Sequence, residues 1–382
     1  MIKNIKIKNF KSFDDVQLEL EYLNVLSGIN GSGKSTICQA LLLLQQYANN
    51  SKETISLNAE PLHLGKLNDI YYQNADSPVI NIVVSNNSLE FGVQIDADQN
   101  KLVNDFANIE PIGSSKVAVS EELSDIVDSI SSIRYLAAER QGPRAAQSID
   151  HQTVRIEKHV GIYGQFTNSY LEFYGSESLD LKFRSHIDSP SEQLAIQVAY
   201  WLKEISPNIN LTTKNHSETD QVSISYSFDV SLGKSDDVRP TNIGFGISYV
   251  LPVVVMCLSA LPGETIIIDT PEAHLHPKGQ FTMGELIACT AADGVQVIVE
   301  THSDHILNGI RVQTIKEILE PEQTKFYYFE LGTGRSYAAP KTIIHNPIIN
   351  SSGQFNHWPS GFFDEWSYAL NEMLKLRGNN IS

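Results

Sequence analysis

Leu23-Asn24-Val25-Leu26-Ser27-Gly28-Ile29-Asn30-Gly31-Ser32-Gly33-Lys34-Ser35-Thr36 is the stretch on which the reading of this chain turns. Leu23 to Ser27 is a short apolar strand. Gly28 to Ser35 fits GxxxxGK[ST] without a mismatch. From Lys34 to Tyr47, Ile37, Leu41 and Leu44 share one helical face, and Leu42 and Leu43 widen it. Strand, glycine loop and helix in that order are the setting in which the pattern marks a phosphate-binding loop. Its glycines let backbone N–H groups turn inward around a β-phosphate, and the helix N-terminus adds positive potential. Lys34 is expected to reach the β- and γ-phosphates of ATP, and Ser35 to ligate Mg2+.

A second motif lies far along the chain. Ile266-Ile267-Ile268-Asp269 is a buried strand of the parallel-sheet kind ending in a carboxylate. At the carboxyl end of a sheet strand Asp269 would hold Mg2+ through water. Glu272, in Thr270-Pro271-Glu272-Ala273-His274-Leu275-His276-Pro277, is the candidate to orient or deprotonate an attacking water. A helix-start charge held by the dipole is its other reading. The next strand, Val295 to Glu300, runs into Thr301-His302-Ser303, and a histidine there can sense a γ-phosphate. His274, His276, His302 and His305 also show HxH and HxxxH spacings, which leaves a metal site as the alternative.

Around these motifs the 382 residues are 41% hydrophobic and 19% charged, a globular composition with enough apolar material for one large or two modest domains. The net charge of −17 disfavours simple coating of nucleic acid without excluding a local basic patch. Three distant cysteines, Cys38, Cys257 and Cys289, imply neither zinc nor a disulfide framework. No run approaches the ~20 apolar residues of a membrane span, and the start of the chain lacks a signal-peptide core. A cytoplasmic protein is expected.

The fold expected is α/β: a nucleotide-binding head with a mixed or parallel central sheet, an antiparallel β subdomain and a helical insertion. Residues 1–144 form an N-terminal lobe with the phosphate loop and β-hairpins. Residues 145–238 are polar and read as an insertion with one good helix, capped by Ser191 and stopped by Pro207. Residues 239–345 form a second lobe, whose helix from Ser248 to Leu258 must place Pro252 in its first turns. Residues 346–382 carry an aromatic cluster and then a helix.

Asn9-Phe10-Lys11-Ser12-Phe13, the glycine loop, Asp269 to Pro277 and Glu300-Thr301-His302-Ser303 follow one another in an order that resembles the SMC/RecF-like branch of the ABC ATPases. Trp358-Pro359-Ser360-Gly361-Phe362-Phe363-Asp364-Glu365 is similar to the C-terminal segment of one bacterial AAA-family subgroup. Arg140 to Arg144 and Asn242 to Ser248 look like its inner motifs.

The resemblance implies an ABC-type P-loop ATPase whose two heads sandwich two ATP molecules. Asn30, Gly31, Ser32, Gly33, Lys34, Ser35 and Thr36 would hold the phosphates, and Lys11 or Phe13 would lie near the base. Gly244, Gly246 and Ser248 would act as the signature motif of the opposite head. His302 would be the switch histidine, and Gln141 would stand for the glutamine loop at the metal.

Two departures stand out. Thr270 occupies the position after the magnesium aspartate where such enzymes carry a catalytic glutamate, and the signature lacks Leu-Ser-Gly-Gly. Related overcoming-lysogenization-defect nucleases carry a Toprim domain after the ATPase, for which this sequence leaves no room. The expected role is an ATPase that controls a separately encoded effector, such as a nuclease or toxin, in anti-phage defence. The alternatives are a DNA-end-binding repair ATPase and an ATP-holding scaffold with little turnover.

Overall fold

Ile5 and Ile7 point into the core and Lys6 points out, as the alternation at the start of the chain predicts, in a computed structural model that describes residues 1–50, 53–87, 89–98, 104–113, 121–231, 233–332, 340–363, 369–370 and 372–376. They lie on β1 (Asn4–Phe10), which pairs antiparallel with β2 (Phe13–Glu19). β3 (Leu23–Gly28) then leads through the glycine loop into α1 (Lys34–Asn50). The rest of the first half comprises β4 (Thr54–Ser56), α2 (Leu67–Ile70), β5 (Val79–Ser85), β6 (Glu90–Asp96), β7 (Phe106–Asn108), β8 (Glu110–Gly113), α3 (Glu121–Ser131) and β9 (Arg134–Leu136). The middle holds β10 (Ala146–Ser148), α4 (Thr167–Tyr174), α5 (Leu194–Ile205), β11 (Ile209–His216), β12 (Gln221–Val230) and β13 (Gly233–Lys234). The final third alternates: α6 (Phe245–Ser259), β14 (Thr265–Asp269), α7 (Pro277–Ala292), β15 (Gln296–Glu300), α8 (Asp304–Ile315), β16 (Thr324–Gly332) and β17 (Lys341–His345).

A six-stranded sheet in the order β17-β16-β3-β15-β14-β9 organises the molecule. All its neighbours are parallel except β16 and β17. Because successive side chains point to opposite faces, its strands feed two cores. Val25, Ile266, Ile268, Val297 and Val299 enter one, with α5, α6, α7 and α8. Leu26, Ile267, Ile298, Tyr327 and Phe329 enter the other, with α1 and the antiparallel sheet β2-β1-β5-β6-β8. The expected mixed sheet and antiparallel β subdomain are both present.

Several local expectations change. The helix in the middle region starts at Leu194 with Gln193 as its N-cap and no side-chain cap. Ser191 instead accepts a hydrogen bond from the Gln193 N–H. The same region holds a second helix, α4, and the long strand β11, whose polar Thr, Lys, Asn and His side chains conceal the strand period. α6 begins at Phe245, so Pro252 is inside the helix rather than in its first turns, and its ring packs on Gly164. The aromatic tail packs as a knot: Phe355 meets Phe326 edge-on at 5.0 Å, and Phe362 meets Tyr328 at 5.8 Å. Of the helix expected after it, residues 369–370 and 372–376 are helical; Asp364 and Glu365 lie outside the described residues. Among the described residues no helix is long and apolar enough to cross a membrane.

His159 gives the fold a pH limit. It is buried, its Nδ1 accepts from the Gly161 N–H at 2.8 Å, and burial together with the nearby Arg134 cation pushes its pKa down to about 3. The unfolded chain therefore takes up this proton near pH 6.5, whereas the folded chain resists it until about pH 3. Stability rises with pH across that window and is fully present above it. At about 1.4 kcal/mol per pH unit, acidification from pH 6.5 to 4.5 costs on the order of 2–3 kcal/mol at this site. His159→Asn keeps an acceptor without a titrating proton. Urea unfolding at pH 6.5 and 4.5 is expected to show a smaller acid loss in that variant, and equal losses would refute the assignment.

Candidate functional site

Three parallel strands deliver their carboxyl ends to one edge of the sheet. β15 lies between β3 and β14 with Glu300 level with both Leu26 and Asp269. That edge is where open α/β sheets bind ligands. The glycine loop leaves β3 there, with positive φ at Gly28, Gly31 and Gly33. It is braced from below. The Thr342 hydroxyl donates to Ser32 O at 2.7 Å and lies 2.6 Å from the Ser12 hydroxyl. Phe13 is fully buried, and a Cβ placed on Gly33 would stand 2.8 Å from its ring. Phe13 thus supports the loop, which corrects the expectation that it meets a base.

The loop faces a cavity of ≈ 810 Å³. Asn30, Gly31, Gly33, Lys34, Ser35 and Thr36 line it. Lys11, Gln39, Asn68, Asp69, Tyr72 and Glu300 line it as well. Ser32 is buried behind the loop, its hydroxyl donating to Ile29 O at 2.8 Å. Lys11 Nζ donates to Gln39 Oε1 at 2.6 Å, and burial lowers its pKa. Lys34 is buried; its Nζ donates to Gly28 O and Ile29 O, each at 2.9 Å. Burial lowers its pKa, while Glu300 and Asp269 oppose that shift. Ser35 Oγ donates to Glu300 Oε1 at 3.0 Å. Burial, then the charge of Asp269, push the Glu300 carboxyl up to about 7. A second hollow, of ≈ 750 Å³, opens beside the far half of α1, but its lining holds Glu60, Asp150 and Glu157 and no lysine or arginine, which does not suit phosphates.

Asp269 accepts from the Thr270 hydroxyl at 2.7 Å, and burial raises its pKa. Thr270 has φ 48°, an unusual conformation for a β-branched residue and one that clusters at functional sites. Arg140 fastens this corner: its guanidinium donates to Asp269 O at 2.8 Å and Thr270 O at 2.6 Å. Glu272 reaches the next loop, accepting from the His302 N–H at 2.7 Å and the Thr301 hydroxyl at 2.9 Å. Burial pushes its carboxyl up, and these hydrogen bonds pull it back. His302 is exposed and stands on the other flank of the loop, in a hollow of ≈ 330 Å³ shared with Ile29, Asn30, Tyr328, Gly361 and Phe363. Partial desolvation of its ring against the loop, then the nearby Lys34 cation, lower its pKa.

Other predicted residues stand elsewhere. Gly244 is the N-cap of α6 on the surface, and Phe245 beside it is 59% exposed. Gly246 lies so close to the 274 peptide that a Cβ would sit 2.7 Å from His274 O. Ser248 and Gln141 line a small hollow between α6 and the middle region, where Gln141 Oε1 accepts from Gln147 Nε2 at 3.1 Å. None of the four lines the glycine-loop cavity of its own chain. The histidine metal site is not formed: among the described residues the one cluster with ligand atoms in reach is His186, Asp188 and Glu204. His274 packs instead on Tyr249, and His276 caps α7.

A divalent cation fits the residues beside Ser35. Glu300 is 6% exposed and its Oε2 has no hydrogen-bond partner, the condition a hard cation relieves. Glu300 is the residue that reading the motifs one at a time overlooks. The signal was present, since two adjacent apolar strands each end in a carboxylate, at Asp269 and Glu300.

Residues 23–308 match the family described as "AAA domain, putative AbiEii toxin, Type IV TA system". Residues 319–373 match "Protein of unknown function (DUF3696)". Among solved structures the chain is similar to an Smc head bound to the C-winged helix domain of ScpA, at 14% identity over 90% of this chain and 98% of that one, with a TM-score of 0.57. It is also similar to the Smc head domain with an extended coiled coil bound to the C-terminal domain of ScpA from Pyrococcus furiosus, at 11% identity over 98% and 99%, with a TM-score of 0.54. At such identities the likeness establishes the fold, which is that of an SMC head. No curated protein matches the sequence.

Proposed function

The chain belongs to the AAA-domain family matched over residues 23–308, as an SMC/RecF-like ABC-type AAA ATPase, and from that premise we propose that two copies pair head to head around two ATP molecules to control a separate effector. The cavity under the glycine loop carries this reading, because it joins phosphate-binding backbone, Lys34, Ser35 and the strand-end carboxylate of Glu300, with Asp269 level with Glu300 on the neighbouring strand. Lys34 neutralises phosphate charge, and Ser35 and Asp269 serve Mg2+, whose chemistry is to draw charge from the β- and γ-phosphate oxygens. Lys11, which lines the same cavity, approaches the nucleotide from beside Gln39.

Gly244 to Ser248 of one head faces the phosphates of the other. The exposed N-terminus of α6, with Phe245 bare beside it, supports this. Glu272 orients water and His302 senses the γ-phosphate. Thr270 after Asp269, and both Glu272 oxygens engaged by the 301–302 loop, favour slow turnover or an ATP-holding scaffold. The family description, with its toxin and toxin–antitoxin wording, supports an effector such as a nuclease or toxin in anti-phage defence. Three free buried cysteines accord with a cytoplasmic setting. The charge of −17 gives direct DNA binding less support.

Sedimentation with Mg2+ and a non-hydrolysable ATP analogue tests the pairing. The wild-type mass is expected to double with the analogue and not with ADP. Ser248→Arg is expected to bind nucleotide and stay single. A wild-type protein that remains single at saturating analogue would sink the sandwich. Phosphate release at background in both wild type and Glu272→Gln would select the scaffold.

A further inference from the structure

We propose that Glu300 is a direct carboxylate ligand for a divalent cation, forming with Ser35 a site that takes up Mn2+ or Mg2+ before any nucleotide arrives. The inference deepens the ATP reading and rests on it only for the identity of the later ligand.

Three observations support it. First, position: Glu300 ends the strand between the phosphate-loop strand and the Asp269 strand, and it lines the loop cavity. Second, unmet valence: Glu300 is 6% exposed, Oε1 accepts from Ser35, and Oε2 has no partner. Third, neither nearby cation hydrogen-bonds Glu300, although Lys34 forms a loose ion pair with it. Lys34 Nζ is 3.9 Å from Oε1, beyond hydrogen-bond distance, and donates to Gly28 O and Ile29 O. Arg140 donates to main-chain carbonyls of Asp269 and Thr270 rather than to a carboxylate. Two strand-end carboxylates therefore stand level on neighbouring strands, and one oxygen of the buried one, Glu300 Oε2, is open.

Hard divalent cations choose such oxygens. Mg2+ commonly takes one or two protein oxygens and completes its shell with water and phosphate. The Ser35 hydroxyl can present a lone pair to a cation while its proton still reaches Glu300 Oε1. Gln141, the amide expected for this duty, is held by Gln147 in another hollow. A carboxylate in its place can supply a negative charge, which an amide cannot, so the electrostatic attraction for a cation does not come from phosphates alone.

Mn2+ titration of the nucleotide-free full chain, followed by electron paramagnetic resonance, tests this. Wild type is expected to bind one ion. Glu300→Gln and Ser35→Ala are each expected to weaken it at least ~10-fold, and Gln141→Ala to leave it unchanged. Metal-free melting of Glu300→Gln, which removes a buried charge, is expected to be no lower than wild type, so lost binding is not lost folding. No nucleotide-free Mn2+ binding by wild type, unchanged affinity in Glu300→Gln, or an equal loss in Gln141→Ala overturns the proposal. ATP titrations of the same proteins in Mn2+ and in EDTA separate the two readings. ATP binding with Mn2+ affinity indifferent to Glu300 removes only the role of Glu300. Glu300-dependent Mn2+ binding without any ATP binding removes the nucleotide reading and leaves the cation site.

Discussion

Lys34→Ala is expected to weaken ATP binding about 100-fold and to bring phosphate release to background. The ammonium is 4% exposed and already desolvated. Its present partners are the carbonyls of its own loop. Turning to phosphate oxygens exchanges neutral acceptors for charged ones. Hydrogen bonds to charged groups contribute about 1.5–3 kcal/mol each, and about 3 kcal/mol corresponds to roughly two decades of affinity. Calorimetric titration with ATP measures the loss. Wild-type affinity in the variant would mean that phosphates do not lie under this loop. Because the substitution also removes a positive charge beside Glu300 and Asp269, its melting temperature must be recorded alongside.

Asp293→Ala should produce the largest loss of stability, about 3–5 kcal/mol, the cost of leaving a buried charge unpaired. Arg184 is 1% exposed; its Nε donates to Asp293 at 2.7 Å, and its Nη1 donates to Cys257 O at 2.7 Å and Ala260 O at 2.8 Å. Asp293 also accepts from the Phe183 N–H at 2.8 Å. One carboxylate thus joins the end of α6, the end of α7 and the segment before α5. A fall in apparent melting temperature on the order of 10 °C is expected, with a smaller fall in Asp293→Asn, which retains an acceptor. ATP affinity below the transition should stay at the wild-type value, since neither residue touches the loop cavity. Equal melting of wild type and Asp293→Ala would show that Arg184 finds another partner.

Much of the site is legible in residue order because its parts are local. A glycine loop between a strand and a helix needs only contiguous residues to declare itself, and so does an apolar strand ending in Asp269. The four histidines show why spacing alone is weaker: their ligand-like intervals lie on a loop and a helix start that point them apart. Phe13 shows the same for proximity. It is close to the glycine loop but beneath it, because β1 and β2 turn back under Gly33. β11 escaped notice because its side chains are mostly polar and carry no apolar period.

What the sequence determined by itself is the glycine loop at Gly28–Ser35, its strand and helix, and the pairing of apolar strands that ends in Asp269 and Glu300. Local backbone geometry and burial period are written in neighbouring residues. What only the tertiary structure decided is which side chains share the space around that loop. Parallel register sets Glu300 level with Asp269 and against Ser35, while Gln141, five residues past the end of β9, turns to Gln147 instead. That choice depends on strand order and on contacts such as Ser35 to Glu300, between residues far apart in the chain, for which a linear pattern holds no signal.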